Sequence, residues 1–136
     1  MIKGIAHICT VSKDLAATER FYCSGLKLKK AFDFVKGGEV IGFYLEAAKG
    51  VYIEVFRSDK IDPNANGAVS HVSFEVDDID ETGHQLKSQG YEVTKKSLGP
   101  DHTWQSWTSD PSGVKIEFHQ YTPTSCQYTG ENCKLD

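Results

Sequence analysis

Apolar residues alternate with polar or small ones through residues 4–11, the two-residue period of a half-buried strand. Ser12-Lys13-Asp14 then offers cap chemistry, and Leu15, Thr18, Phe21 and Tyr22 recur at helical spacing, which predicts a helix over about 14–24 stopped by Gly25. Three β-type runs follow, Lys30–Val35, Val40–Leu45 and Val51–Arg57, separated by Gly37-Gly38 and by Ala47-Ala48-Lys49-Gly50, both hairpin signals. Residues 58–68, with Pro63, Asn64, Asn66 and Gly67, read as a linker.

The order then repeats. A strand is predicted over 69–76, a helix over about 78–89 opened by Asp77-Asp78 and stopped by Gly90, and β runs near Glu92–Lys96, Trp104–Ser109 and Val114–Tyr121. Asp110-Pro111-Ser112-Gly113 is a turn signal, because Pro fixes φ and Gly accepts a positive one. Residues 122–136 are polar and without period, so they are expected to form a loose or draped tail.

These elements predict an α+β fold in one domain, 1–136, made of two tandem βαβββ modules, about 3–57 and 69–121, that form an open, curved mixed sheet with helices outside. A module of about 60 residues buries a poor fraction of its own surface. The two copies are therefore expected to share a core or to complete one in a homodimer.

Composition narrows the partners. The net charge is only −4 and the Lys and Arg residues form no basic stripe, which argues against nucleic acid. No apolar run approaches the ~20 residues of a membrane span, and the first residues lead directly into a strand, so a cytoplasmic protein without membrane attachment is expected. Cys9, Cys23, Cys126 and Cys133 show no CxxC spacing and are expected to be reduced thiols.

The chemistry lies in the repeat. His7 and His71 occupy the first strand of each copy and Glu54 and Glu117 the last, at a sequence offset of 64 for the histidines and 63 for the glutamates. Core strands select apolar side chains, so a duplicated His and Glu points to a duplicated function. Alternation puts Ile5, His7 and Cys9 on one face, Tyr52, Glu54 and Phe56 on one face, and Lys115, Glu117, His119 and Tyr121 on another, with the apolar sets turned to the helices. Two imidazoles and two carboxylates suit one divalent ion, Ni, Zn, Co, Mn or Fe, with positions left open for water or substrate. His71, Ser73 and Glu75 share the polar face of their strand. Glu75 and His119 are candidate supporting groups, Trp104, Trp107 and Tyr121 candidate pocket walls, Asp101 and His102 a candidate covering loop, and His84 an exposed helix residue.

The paired βαβββ pattern, Phe21-Tyr22 before Gly25-Leu26, Asp77-Asp78-Ile79, and Asp110-Pro111-Ser112-Gly113-Val114-Lys115-Ile116-Glu117-Phe118 together resemble the vicinal oxygen chelate superfamily over about residues 3–121. That group includes glyoxalase I, epimerases, extradiol dioxygenases, fosfomycin-resistance transferases and bleomycin-binding proteins. The resemblance implies metal ligands at His7, Glu54, His71 and Glu117, and the Glu at the second position favours glyoxalase I. It further implies a lactoylglutathione lyase-like enzyme that abstracts a proton next to a carbonyl, through a metal-stabilised enediolate, on a small hydroxy-carbonyl or hemithioacetal substrate. Glu117 is the first choice of base and Glu54 the second. Bacterial glyoxalase I has an Arg four residues past its first His and an Asn four past its first Glu for glutathione, where this chain has Val11 and Ser58. The alternatives are a sugar or acyl epimerase or isomerase, a small extradiol-type dioxygenase, and a non-catalytic, drug-resistance type of binding module.

Overall fold

The computed structural model describes residues 1, 3–61 and 69–135. Residues 62–68 of the expected linker lie outside the described residues. The chain divides into two compact units, residues 1–65 with 110–114, and residues 66–109 with 115–136. The strands make two open, four-stranded mixed sheets, one per unit, which is the tandem βαβββ arrangement of an α+β protein.

In the first unit β1 (His7–Ser12) runs parallel to β4 (Val51–Arg57), and β3 (Glu39–Ala48) and β2 (Lys29–Lys36) extend the sheet antiparallel in the order β1-β4-β3-β2. Gly37 and Gly38 close the β2–β3 hairpin with φ of 59° and 83°, the left-handed pair that a two-residue turn of this hand demands. Asp14 caps α1 (Leu15–Glu19) by accepting from the Ala17 N–H at 2.9 Å. The chain then widens into a π-helical turn, Arg20–Gly25. The predicted helix is thus continuous but not regular. The wider turn carries Phe21, Tyr22 and Gly25 all into the buried side. Phe43, Leu45, Ile53 and Val55 complete this core, each 3% exposed or less. Each such burial stabilises by about 1.5–3 kcal/mol before entropy is charged against it.

Asp110–Val114 belongs to the first unit. The Asp110 carboxylate accepts from the Ser112 and Val114 N–H groups at 2.8 and 2.9 Å and from the Tyr22 hydroxyl at 3.0 Å. Burial pushes the Asp110 carboxyl up despite these donors, and burial followed by the Asp110 charge raises the Tyr22 phenol.

In the second unit β5 (Val72–Glu75) runs parallel to β8 (Lys115–Gln120), followed by β7 (Trp104–Ser109) and the short β6 (Ser97–Leu98) in the order β5-β8-β7-β6. Asp78 caps α2 (Ile79–Ser88) by accepting from the Asp80 and Glu81 N–H groups, both at 2.9 Å. Ile79, Leu86, Ile116 and Phe118 form the core.

Two expectations change here. Glu92–Lys96 does not form a strand, and the paired residues are Ser97 and Leu98. Thr94 donates its N–H to the Trp107 carbonyl at 2.9 Å, but its hydroxyl, not its carbonyl, receives the Trp107 N–H. A side chain has replaced one rung, and the ladder stops. The tail also contains α3 (Cys126–Thr129). Ser125 is fully buried, accepts from the Thr122 N–H at 2.8 Å and donates to the His102 carbonyl at 3.1 Å, while the Cys126 N–H reaches the Asp101 carbonyl at 2.9 Å. Polar contacts hold this segment, so hydrophobic periodicity carries no sign of it. Among the described residues no helix is long and apolar enough to cross a membrane.

Candidate metal centre

Parallel pairing of the first and last strands sets the donor pair of the first unit, and in the second unit His71 stands one residue before β5, short of the strand expected over 69–76. In the first unit Cys9 lies across from Glu54 and His7 across from Tyr52, so His7 and Glu54 sit diagonally on one face. His7 Nε2 stands 3.8 Å from Glu54 Oε2, and the imidazole is the more exposed partner. Burial, then hydrogen bonding to Glu54 and its charge, push the Cys9 thiol up to about 11. Without a cation beside it the group stays a thiol at neutral pH, which makes it a poor nucleophile.

The second unit repeats the pair with more support. His71 Nε2 stands 3.4 Å from Glu117 Oε2, and His119 Nε2 stands 3.1 Å from Glu117 Oε1. Ser70 Oγ meets His71 Nδ1 at 2.8 Å, which fixes the ring and leaves Nε2 facing the carboxylate. Trp107 packs edge-on to His71 at 5.0 Å, with the Lys115 ammonium 4.4 Å above the indole. Glu117 is only 5% exposed, so its position is fixed by the core around it.

The donor chemistry fits a divalent ion. Two ligands about 2.1 Å from one ion stand about 3.0–3.4 Å apart at octahedral to tetrahedral angles. His71 and Glu117 match that separation at 3.4 Å, and His7 and Glu54 exceed it by a few tenths at 3.8 Å. Among the described residues no group of three or more His, Cys, Asp or Glu is arranged to hold an ion, so each unit by itself supplies a pair.

The remaining candidates separate clearly. His119 joins Glu117, whereas Glu75 and Ser73 are exposed and His84 is exposed on α2. Trp107 stands against His71, but Trp104 lies under the Lys96 ammonium, 5.1 Å from the ring. Tyr121 touches both His119 and Tyr128, at 5.9 and 5.0 Å between ring centres. Asp101 and His102 anchor the tail segment; partial burial pushes the Asp101 carboxyl up, but hydrogen bonds from Gln127 and Thr103 outweigh it and hold the group low.

Sequence reasoning missed one feature of the first unit. Phe32, Phe34, Tyr44, Tyr52 and Phe56 all lie on the face that bears His7 and Glu54. Phe32 stacks on Tyr44 at 4.9 Å, Tyr44 on Tyr52 at 5.0 Å and Phe34 on Phe56 at 4.6 Å, and His7 meets Tyr44 edge-on at 5.8 Å. The signal is present: Phe32 with Phe34, Tyr44, and Tyr52 with Phe56 all fall on the side that alternation assigns away from the core.

Residues 4–118 match the sequence family described as Glyoxalase/Bleomycin resistance protein/Dioxygenase superfamily. The structure is similar to that of a glyoxalase family protein from Enterococcus faecalis, with 25% identity, a TM-score of 0.73, and coverage of 86% of this chain and 97% of the other. It is also similar to a glyoxylase/bleomycin resistance protein/dioxygenase domain from Frankia sp. EAN1pec, at 19% identity and TM-score 0.75, covering 90% of this chain and 100% of that one. A third likeness is to a lactoylglutathione lyase from Agrobacterium tumefaciens, at 21% identity and TM-score 0.66, covering 88% of this chain and 94% of that one. No curated protein matches the chain.

Proposed function

Because the chain belongs to the Glyoxalase/Bleomycin resistance protein/Dioxygenase superfamily, we propose that it is a divalent-metal-dependent lyase or isomerase of the glyoxalase type, removing a proton next to a carbonyl of a small hydroxy-carbonyl or hemithioacetal substrate. The observation that supports it is the duplicated donor pair, His7 with Glu54 and His71 with Glu117, at N–O separations of 3.8 and 3.4 Å. These four side chains would hold the ion. When bound, the ion supplies Lewis acidity toward two neighbouring substrate oxygens and lowers the cost of the negative charge left by proton removal.

The protein's own groups do the rest. Glu117 is assigned as the base, because His119 at Oε1 fixes the direction in which the other carboxylate oxygen points, and a fixed base works at high effective concentration. Among the described residues Glu54 has His7 and the Cys9 thiol beside it and Tyr44 directly across the sheet, and it is the second candidate. Val11, exposed two residues beyond Cys9, and Ser58 give no cationic contact to a glutathione carboxylate, so a thiol-independent hydroxy-carbonyl substrate is favoured.

The test is metal analysis of the purified protein followed by a turnover screen with methylglyoxal plus several thiols, and with ketoses. Stoichiometric divalent metal with metal-dependent turnover supports the reading. Absence of metal affinity overturns it, and iron-dependent oxygen uptake replaces it with an oxidative enzyme. A sequestering role is the second reading, favoured by the ring-lined face beside His7; ligand binding by metal-free protein without turnover would select it. Sedimentation at several concentrations tests the expected homodimer.

A further inference from the structure

We infer that the ring-bearing face of the first unit is the substrate-selecting wall, and that its ligand is a small neutral or cationic compound whose carbonyl carbon bears an aromatic ring. The inference rests on the proposed function for the carbonyl and adds the ring. Rings on the solvent side of a sheet are costly to leave wet. Phe32 keeps 49% of its surface exposed although it stacks on Tyr44.

The arrangement is built, not scattered. Phe32, Tyr44 and Tyr52 form a row of near-parallel rings across β2, β3 and β4, with interplanar angles of 18° and 24°. His7 on β1 meets the middle ring of that row. Gly42 makes room for a second pair: a Cβ there would come within 2.8 Å of Phe56 Cδ1 and 2.3 Å of the Val55 carbonyl oxygen. The missing side chain lets Phe56 lie across the strand and stack on Phe34. A flat ring laid on this row lies beside His7 and Glu54, the pair that would hold the ion, and it is the ion that would meet the oxygens attached to the ring.

Charge selects among aromatic ligands. Lys29 shares this face but lies directly across from Glu46, and Lys30 is paired with Glu19 and Asp33. Glu54 adds a negative charge beside the rings. Lys36, which alternates with Phe32 and Phe34, likewise lies across from Glu39, so a polyanionic thiol conjugate meets a carboxylate opposite each of these lysines, whereas a neutral or cationic ring needs neither.

Calorimetric titration with 2-hydroxyacetophenone and with hydroxyacetone tests this, because the two probes keep the same vicinal oxygens and exchange phenyl for methyl. Each is titrated into metal-free and zinc-loaded protein. The phenyl probe is expected to bind about tenfold or more tightly than the methyl probe in both forms, and the ratio should fall below about threefold in Tyr44→Leu and in Phe32→Ser. Phe32 is half exposed, so Phe32→Ser keeps the test decisive if Tyr44→Leu misfolds. Equal affinity for the two probes, or a phenyl preference that survives both substitutions, overturns the inference. So does sedimentation showing that Phe32→Ser turns a dimer into a monomer while wild type has no phenyl preference, since a second copy then covers the face. Zinc that fails to bind wild type overturns the metal reading alone, and a phenyl preference in metal-free protein then still supports the wall.

Discussion

His119 Nε2 stands 3.1 Å from Glu117 Oε1, and the equivalent place beside Glu54, two residues on, is held by Phe56. The duplication has therefore diverged at one position. One carboxylate is clamped by an imidazole and the other is flanked by a ring that offers no donor. If Glu117 is both ligand and base, His119→Phe should lower zinc affinity by about ten- to a hundredfold, as loss of an orienting partner does at metal sites. Equilibrium competition with a chelator measures it. An unchanged affinity would remove His119 from the site and leave Glu117 positioned by packing alone.

The two carboxylates should separate in kinetics. Glu117→Gln keeps a ligand oxygen but removes the base, so kcat should fall by about 10²–10⁴ while bound metal is retained at excess ion. Glu54→Gln should cost less in kcat and show mainly as weaker metal binding. The reverse order would exchange their roles.

Tyr22 and Asp110 give a test of the fold. Tyr22→Phe removes one donor from a buried carboxylate and should cost about 1–2 kcal/mol in chemical denaturation at pH 7. Asp110→Ala also orphans the Ser112 and Val114 N–H groups and should cost about 2–4 kcal/mol. Asp110→Asn keeps an acceptor for both amides and should cost less than about 1 kcal/mol. The pH dependence has a definite sign. Burial raises the Asp110 carboxyl in the folded state, so its contribution is fully present below the unfolded Asp value of about 3.9 and is lost as pH rises through the folded value. Wild type should gain on Asp110→Asn as pH falls from 7 toward 4. A difference that moves the other way would mean the carboxylate form is the one the site prefers.

How far these groups were legible in the chain depends on what holds them. Alternation in Val51–Arg57 placed Glu54 opposite Ile53 and Val55, and Asp14 and Asp78 marked the helix starts they cap, because strand faces and caps are local chemistry. The π turn at Arg20–Gly25 answers to the packing of Phe21 and Tyr22, which no spacing rule encodes. The end of the ladder at Thr94 turns on one hydroxyl, and the aromatic face is encoded by alternation within each strand, but its stacking across β2, β3 and β4 depends on register between strands. Contacts made by side chains distant in sequence stayed hidden.

Gly42 tests whether that face is assembled as argued. Gly42→Ala puts a methyl within 2.3 Å of the Val55 carbonyl oxygen and 2.8 Å of Phe56 Cδ1, so backbone and ring must both shift. Overpacking of this kind costs about 1–3 kcal/mol. The near-ultraviolet aromatic signal should change with it, while Gly37→Ala, which meets nothing within 4 Å and strains only its own positive φ, should lower stability without disturbing the rings.

Ser125 decides whether residues 122–129 are structure or tail. Its hydroxyl accepts from the Thr122 N–H and donates to the His102 carbonyl in a fully buried position, and Thr103, also fully buried, donates to it at 3.3 Å. Ser125→Ala takes the acceptor from the Thr122 N–H, while the His102 carbonyl keeps the Thr122 hydroxyl and the Thr103 hydroxyl keeps Gln127 Oε1, a loss of about 1–3 kcal/mol. Because the same contacts hold Asp101–Thr103, hydrogen exchange should quicken together in that loop and in α3, and limited proteolysis should cut both sooner. Faster exchange in α3 alone would mean the loop stands by itself, and the hydroxyl network would then be a consequence of the loop's shape and not its cause.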